Sequence, residues 1–324
     1  MLFKNNTLLL FLAGAITVSA ADALAQHYPS RPIRLVVPQS AGGSTDLVAR
    51  PLAQRVAEAM KGSVVVDNRP GAGGTIGTDI VAKAPPDGYT LLAVAASFSM
   101  SPSLYRKLPF DPLNDFAPVS LLSSLPNILV VHPALPVKSL KDFLAYAKSQ
   151  PGKLNYSSSG VATGTHMSME LLKFMTGISL AHIPYKGGAP SVTALIGGEV
   201  QLCFATLSTA LPHVKSARLR ALAVSTAKRA SAAPDVPTLA EAGVPGYDYA
   251  SWIGLLAPAK TSPAIVSKWH TEAARVMQTP DMKALLQHEG SEAVGSTPQA
   301  FATTLRTEVE RWRAVAKAAN IAAE

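Results

Sequence analysis

The sequence predicts an α/β protein of two domains joined by two crossing segments, with a ligand cleft between them. Three observations carry this expectation. Short apolar runs alternate with amphipathic helical patterns along nearly the whole chain, the order that builds parallel βαβ units. A strand followed by a turn of glycines or small residues and then a helix start occurs three times, at residues 35–46, 64–77 and 155–166. Removing an N-terminal leader of residues 1–25 leaves 299 of 324 residues, a length that usually means two domains or one large one. Residues 26–122 with 225–324 are expected to form domain I, and 123–224 domain II.

Taken in order, Met1–Lys4, the apolar run Leu8–Val18 and Ala23-Leu24-Ala25 have the form of a secretory signal peptide, too short in its apolar part to span a bilayer. Arg31–Val37 reads as a first strand. After the turn Pro38–Thr45, a helix from Asp46 places Leu47, Val48, Leu52, Val56 and Met60 on one face, with Pro51 as a discordant, kink-prone position. Val64–Val66 and Tyr89–Ala95 read as further strands. Between the first of these and a helix ending near Lys83 stands Asn68-Arg69-Pro70-Gly71-Ala72-Gly73-Gly74. It is no dinucleotide fingerprint, because Ile76 occupies the third glycine position.

Phe116–Val131 is a long apolar stretch expected to make the first crossing between domains, and Trp252–Ala257 the return. Ser139 with Asp142 is a capping-box-like start for a helix over 140–148, and Thr238 with Glu241 a second. Asn155–Ser157, Leu180–Tyr185, Val200–Phe204 and Leu219–Val224 read as strands. A helix carrying Met167, Leu171, Leu172 and Met175 stops at Gly177, and another spans 191–196. Two C-terminal helices close the chain, the last with Phe301, Leu305, Val309 and Trp312 as its core stripe.

With 48% hydrophobic and 15% charged residues the chain is not expected to be disordered. Its net charge of +8 comes from scattered Lys and Arg without basic runs or interleaved aromatics, which argues against nucleic acid and for a mild pull on anions. The single cysteine, Cys203, sits in an apolar run and is expected to be buried and inert.

The repeated turns aim backbone N–H groups and positive helix ends at a point that suits a carboxylate. Asp46 is read as a first-turn residue favoured by the helix dipole, and Lys186 as a possible charge partner of a ligand. Ser97, Ser99 and Ser101 lie past a strand end, where α/β sheets bind ligands or the chain simply turns. No G-x-S-x-G nucleophile elbow is present, no carboxylate is placed to orient His166, and the other histidines lack metal-ligand spacing. No cofactor is expected. A secreted α/β hydrolase remains the alternative from another class, needing an oriented nucleophile and base among Ser158, Ser159 and His166.

Several motifs stand in one order: Pro38–Asp46, Asn68–Gly74, Ser158-Ser159-Gly160 with Gly164-Thr165-His166, Pro184-Tyr185-Lys186-Gly187, Leu219–Val224 and Pro234–Gly243. This set closely resembles the Bug family, the periplasmic solute receptors of tripartite tricarboxylate transporters, over essentially the whole mature chain. The resemblance implies a type II periplasmic-binding-protein fold that closes around a small carboxylate, a monomer working with membrane permease subunits or a sensor. The ligand set it implies is Ser40, Ala41, Gly42, Gly43, Thr45, Asp46, Gly73 and Ser97 from domain I, with Ser158, Thr163, Gly164, Thr165, His166, Tyr185, Lys186 and Ala205 from domain II. Two departures bear on specificity. Gln39-Ser40 is more polar than the usual pair, and Ala205 stands where relatives often carry an acid, which disfavours an acidic amino acid and favours a plain carboxylic acid.

Overall fold

The structure, a computed structural model, describes residues 28–161, 163–288 and 290–318; the expected leader lies outside them. The chain forms β1 (Ile33–Val37), α1 (Ser44–Ala59), β2 (Val64–Asn68), α2 (Thr75–Ala82), β3 (Thr90–Ala95), α3 (Ser97–Leu104) and β4 (Phe116–Val131). It continues through α4 (Leu140–Ser149), β5 (Asn155–Ser158), α5 (Gly164–Thr176), β6 (Ala181–Pro184), α6 (Gly188–Ile196), β7 (Leu202–Thr206), α7 (Leu207–Lys215) and β8 (Arg220–Val224). It ends with β9 (Ala250–Pro258), α8 (Pro263–Met277), α9 (Pro280–His288), β10 (Glu292–Ala293) and α10 (Pro298–Ala318).

Two parallel sub-sheets carry the two lobes. In one, β1 lies between β2 and β3, with Leu35 paired to both Val66 and Leu91. In the other, β5 lies between β6 and β7. What joins them is antiparallel. β4 pairs through Phe116–Pro126 with β9 and through Asn127–Val131 with β7 and β8. β9 in turn pairs with β3. The two expected crossing segments are therefore neighbouring strands hydrogen-bonded to each other, and the strand order is β2-β1-β3-β9-β4-β7-β5-β6. Because the helices of each parallel unit start at the carboxyl ends of its strands, the helix starts gather where the two lobes face.

Most expected elements are present within a few residues; the differences have local causes. Helix α1 starts at Ser44 and runs on through Pro51. Leu47, assigned above to its buried face, is 42% exposed. Two helices, α3 and α7, stand where only turns or nothing had been read, because serines and an internal proline in each (Pro102, Pro212) mask the helical period. Three helices rather than two follow β9 among the described residues. Both capping boxes form their bonds. At Ser139–Asp142 the box opens α4. At Thr238–Glu241 it closes only a turn, cut short by Gly243 and Pro245.

The core is split among clusters on either side of the sheet. Cys203 is buried in the cluster behind β7, and burial pushes its thiol up to about 12, so it is inert as expected. The expected stripe of α10 is buried, Phe301 and Trp312 fully so. It brings with it a buried acid, Glu308, which accepts hydrogen bonds from Trp252 Nε1 of β9 and from Ser99 Oγ of α3, both at 2.7 Å. Burial raises the Glu308 carboxyl above its ordinary range, and those bonds offset this only in part. A raised carboxyl contributes stability that is full below its unfolded pKa and is lost as pH rises through the folded value. Glu308→Gln is therefore expected to gain on the wild type in chemical denaturation as pH is raised from 4 to 7; a pH-independent gap between the two would contradict this.

Candidate functional site

The first turn is built by Asp46. Its Oδ2 accepts from the Gly42 N–H and from Arg50 Nε, both at 2.8 Å, and its Oδ1 accepts from Asn68 Nδ2 at 3.0 Å. Asn68 Nδ2 also reaches Gln39 O, and Arg50 Nη2 donates to Asn68 Oδ1. The side chain read as a helix-dipole residue thus folds the turn onto the end of β2. Burial works against its ionised form, yet the bonds from Arg50, Gly42 and Asn68 hold its carboxyl below the ordinary carboxylate range. Gly42 N–H and Gly43 N–H are both engaged inside the turn, the latter with Ser40 O. The first intrahelical bond is Leu47 N–H to Gly43 O, so the amides of Ser44 to Asp46 are the ones a helix start leaves directed outward. Ser40 and Ala41 are exposed beside them, and the Thr45 side chain is buried.

The second turn packs directly on the first. A Cβ on Gly77 would lie 2.7 Å from Arg69 O and 2.9 Å from Pro38 Cα, so only glycine lets α2 approach this closely. Ser40, Gly73 and Ser97 line one hollow of about 410 Å³, together with Tyr105 and, from the opposite lobe, Val161. Of the three serines after β3, Ser99 and Ser101 are buried and bonded to backbone carbonyls of α3 and its approach.

The third turn is tied to itself. Ser159 N–H donates to Thr165 Oγ1 at 3.0 Å, Ser159 Oγ meets Thr163 and Thr165, and Thr163 Oγ1 donates to Gly160 O. Gly164 opens α5 and abuts β9: a Cβ there would sit 3.1 Å from the Tyr249 hydroxyl and 3.4 Å from Ser251 Oγ. His166 follows at the first turn of α5. It is buried, its ring stacked 4.0 Å from that of His182, which stacks in turn on Tyr156 at 4.8 Å. Glu170, one turn on, supplies the carboxylate that sequence reasoning had not placed: its Oε1 lies 3.9 Å from His166 Nε2 and accepts from the Tyr156 hydroxyl and Lys173 Nζ. Burial, aided by the neighbouring His182, pushes His166 down to about 4, so it is neutral at neutral pH.

Ser158 Oγ lies 2.6 Å from His182 Nε2, a serine–histidine pair of the kind a hydrolase would need. The serine is fully buried, its Oγ donates to Gly160 O and accepts from the Gly160 N–H, and it lines neither the hollow above nor the cavity described below. It anchors the loop. Tyr185 donates to Glu199 and Lys186 is exposed; neither lines these cavities.

A cavity of about 280 Å³ lies over the crossing strands. Its walls are Ser44, Leu47 and Val48 of α1, Ala95 at the end of β3, Ser123 and Leu125 of β4, and Ser251–Ile253 of β9. Thr206, Ser208 and Thr209 close it from the second lobe, and Leu285, Leu286 and Ser291 from the C-terminal segment. None of these carries a charge. Ala205 corrects the expectation at the end of β7: its side chain is buried in the lobe core, paired in register with Ile128, and the cleft-facing residue is Thr206. Strand alternation puts Phe204 and Thr206 on one face and Ala205 on the other. The signal that could have found Thr206 is the device already recognised three times, a strand followed by small residues and a helix start, here without glycine.

The helices whose starts meet at these cavities share one feature. Helices α1 and α7 at the cavity and α2 and α3 at the hollow have no side chain of the N-cap residue bonded to their first amides, a feature that α5 and α6 share although their starts line neither. Away from the cleft, α4 is capped by Ser139 and α8 by Ser262. Uncapped starts keep donors and positive dipole ends available to an anion. Among the described residues no group of His, Cys, Asp or Glu is placed to hold a metal ion.

Residues 48–321 match the family model described as tripartite tricarboxylate transporter family receptor. Protein BugT of Bordetella pertussis is 36% identical over 318 residues, covering 97% of this chain and 98% of that protein. Among solved structures, R. palustris Rpa4515 with adipate is 39% identical with a TM-score of 0.74, covering 92% of this chain and 100% of that one. MatC from Rhodopseudomonas palustris with bound malate is 31% identical with a TM-score of 0.70, covering 89% and 99%. Agreement at this level across both lobes and both crossings leaves one assignment: the chain belongs to the Bug family of solute-binding receptors of tripartite tricarboxylate transporters, and is a binding protein rather than an enzyme.

Proposed function

We propose that this protein is a periplasmic receptor, exported by the leader at residues 1–25, that closes over a small carboxylate and presents it as a monomer to the permease subunits of a tripartite transporter. In this reading the lobes meet at residues 123 and 225, in the middle of β4 and just past β8. The observation that carries the proposal is the meeting of two uncapped helix starts, at Ser44 and Thr206, in a cavity without a charged lining residue. An acid group there gains backbone donors and helix dipoles, directly or through bound water, and meets no repelling carboxylate. The bound adipate and malate of Rpa4515 and MatC support the same chemistry. The turn from Ser40 to Asp46, with Gly73 and Ser97, would serve the acid from one lobe, and the turn from Ser158 to Thr165, with Thr206, from the other.

A thermal-shift screen of the mature chain against carboxylates, sugars and amines tests this. A carboxylate at a hundredfold excess over its Kd should add about 2.7 kcal/mol of stability. A screen in which only neutral or cationic solutes raise Tm would remove the proposal. Delivery to a permease is tested separately, by reconstituting uptake with and without the receptor.

A further inference from the structure

We propose that His182 is a positioning residue of the second lobe, donating from Nε2 to Ser158 Oγ and so fixing the turns that follow β5 and β6. The serine–histidine pair is then a lock, not a nucleophile with its base. The strands bring the pair together. In the parallel register His182 of β6 stands opposite Tyr156 of β5, and Ser158 is the next residue of β5 on that face. The imidazole stacks on Tyr156 at 4.8 Å and on His166 at 4.0 Å, which fixes the plane of its ring. In that plane its Nε2 lies 2.6 Å from Ser158 Oγ.

The supply of hydrogens sets the direction of that bond. A serine hydroxyl has one proton and two lone pairs, and a neutral imidazole carries its proton on one nitrogen only. Ser158 Oγ lies 3.0 Å from Gly160 O, which can only accept, and 3.2 Å from the Gly160 N, whose N–H can only donate. The serine proton therefore goes to Gly160 O, and His182 must supply its own from Nε2 for all three bonds to form at once. In that arrangement the serine proton points away from His182, and the nitrogen facing the serine has no lone pair to receive it. An activated nucleophile needs the reverse. Burial lowers His182 from its ordinary value, so the ring is neutral at neutral pH.

The lock sits at a joint. Ser158 O accepts from the Tyr185 N–H at 3.0 Å and Ser159 O from the Gly187 N–H at 3.2 Å, so the turn after β5 carries the turn after β6. Gly160 itself stands at φ 137°, a conformation that favours glycine. Val161, beside it, comes from the second lobe into the hollow lined by Ser40, Gly73 and Ser97 of the first. Through Ser158 and Gly160, His182 thus sets where the second lobe meets that hollow.

The first readout is the tautomer. Nitrogen NMR of the histidine rings in the mature full chain at neutral pH, with His182 assigned through bonds to its backbone, should show the proton on Nε2. A proton on Nδ1 would leave Nε2 as a base facing the serine and overturn the inference. The second readout is amide exchange. His182→Phe keeps a stacking ring and removes the donor, whereas His182→Gln keeps an N–H at a similar reach. Exchange at Gly160, Tyr185 and Gly187 should rise roughly tenfold in the Phe variant and return toward wild type in the Gln variant, with Leu92 of β3 unchanged in both. Equal exchange in wild type and the Phe variant, or a rise of the same size at Leu92, overturns the lock. Should His182→Phe not fold, Ser158→Ala, which removes the acceptor, takes its place.

The consequence for binding rests on the receptor reading above and is measured by calorimetry with adipate and malate. Kd should rise severalfold in the Phe variant and recover in the Gln variant, because a turn ordered only on binding draws on affinity. An unchanged Kd beside raised exchange overturns the positioning role. If the wild type binds neither acid, it is the receptor reading that suffers, and the tautomer and the exchange still decide the lock.

Discussion

Asp46→Ala is expected to lower stability by about 2–3 kcal/mol and to weaken carboxylate binding by roughly tenfold or more. The carboxylate is 2% exposed and holds three donors from three places: the turn itself, the next turn of α1 and the end of β2. Alanine leaves the Gly42 N–H and Asn68 without that acceptor, and it frees Arg50, whose half-exposed guanidinium can return to water and so limits the loss. The larger effect falls on binding, because the outward amides of Ser44 to Asp46 are aimed by this turn, and a turn that must be ordered at the moment of binding takes the cost from affinity. Asp46→Asn checks the electrostatic part. A carboxyl held below its ordinary range contributes stability at neutral pH that is lost as pH falls through the depressed value. The gap between wild type and Asp46→Asn in urea denaturation should therefore shrink on acidification below about pH 4. A gap that widens would show that the side chain is bound as a neutral acid.

Gly254→Ala should produce the other large loss, about 2–3 kcal/mol, read as a fall in Tm of several degrees. Gly254 lies in the middle of β9, paired with Val94 on one side and Leu121 on the other. Its backbone would accept any residue. The obstacle is space: a Cβ would stand 2.2 Å from Phe301 Cζ and 2.8 Å from Cε1. Phe301 is fully buried and packs edge-on against Trp252 at 5.3 Å, so its ring has nowhere to retreat. In a Phe301→Ala background the same glycine substitution should cost little, and the coupling in that cycle is the test. Equal losses in both backgrounds would place the strain in the strand rather than against the ring.

How far the site could be read from residues alone differs from turn to turn. The turns at Gly42–Gly43 and Gly71–Gly74 were legible because tight strand-to-helix turns demand glycine, a local requirement written in the residue itself. The crossing strands were legible as apolar runs, although their pairing with each other was not. Ala205 was misjudged because the end of β7 lies two residues beyond the apolar run, and a small shift in a strand exchanges its faces. The surroundings of His166 were not legible, because they are made by His182 on β6 and Tyr156 on β5, which only the parallel pairing of those strands brings together.

The chain by itself determined its alternating elements, its three glycine or small-residue turns, both capping boxes and the buried stripe of α10, since each depends on residues within a turn or two of one another. The tertiary structure decided which helix starts face the cleft, that Asp46 clamps one turn to the next, and that Thr206, Ser251 and Leu285 share a wall. Those outcomes follow from inserting β9 antiparallel between β3 and β4, a pairing across more than a hundred residues that no local periodicity encodes.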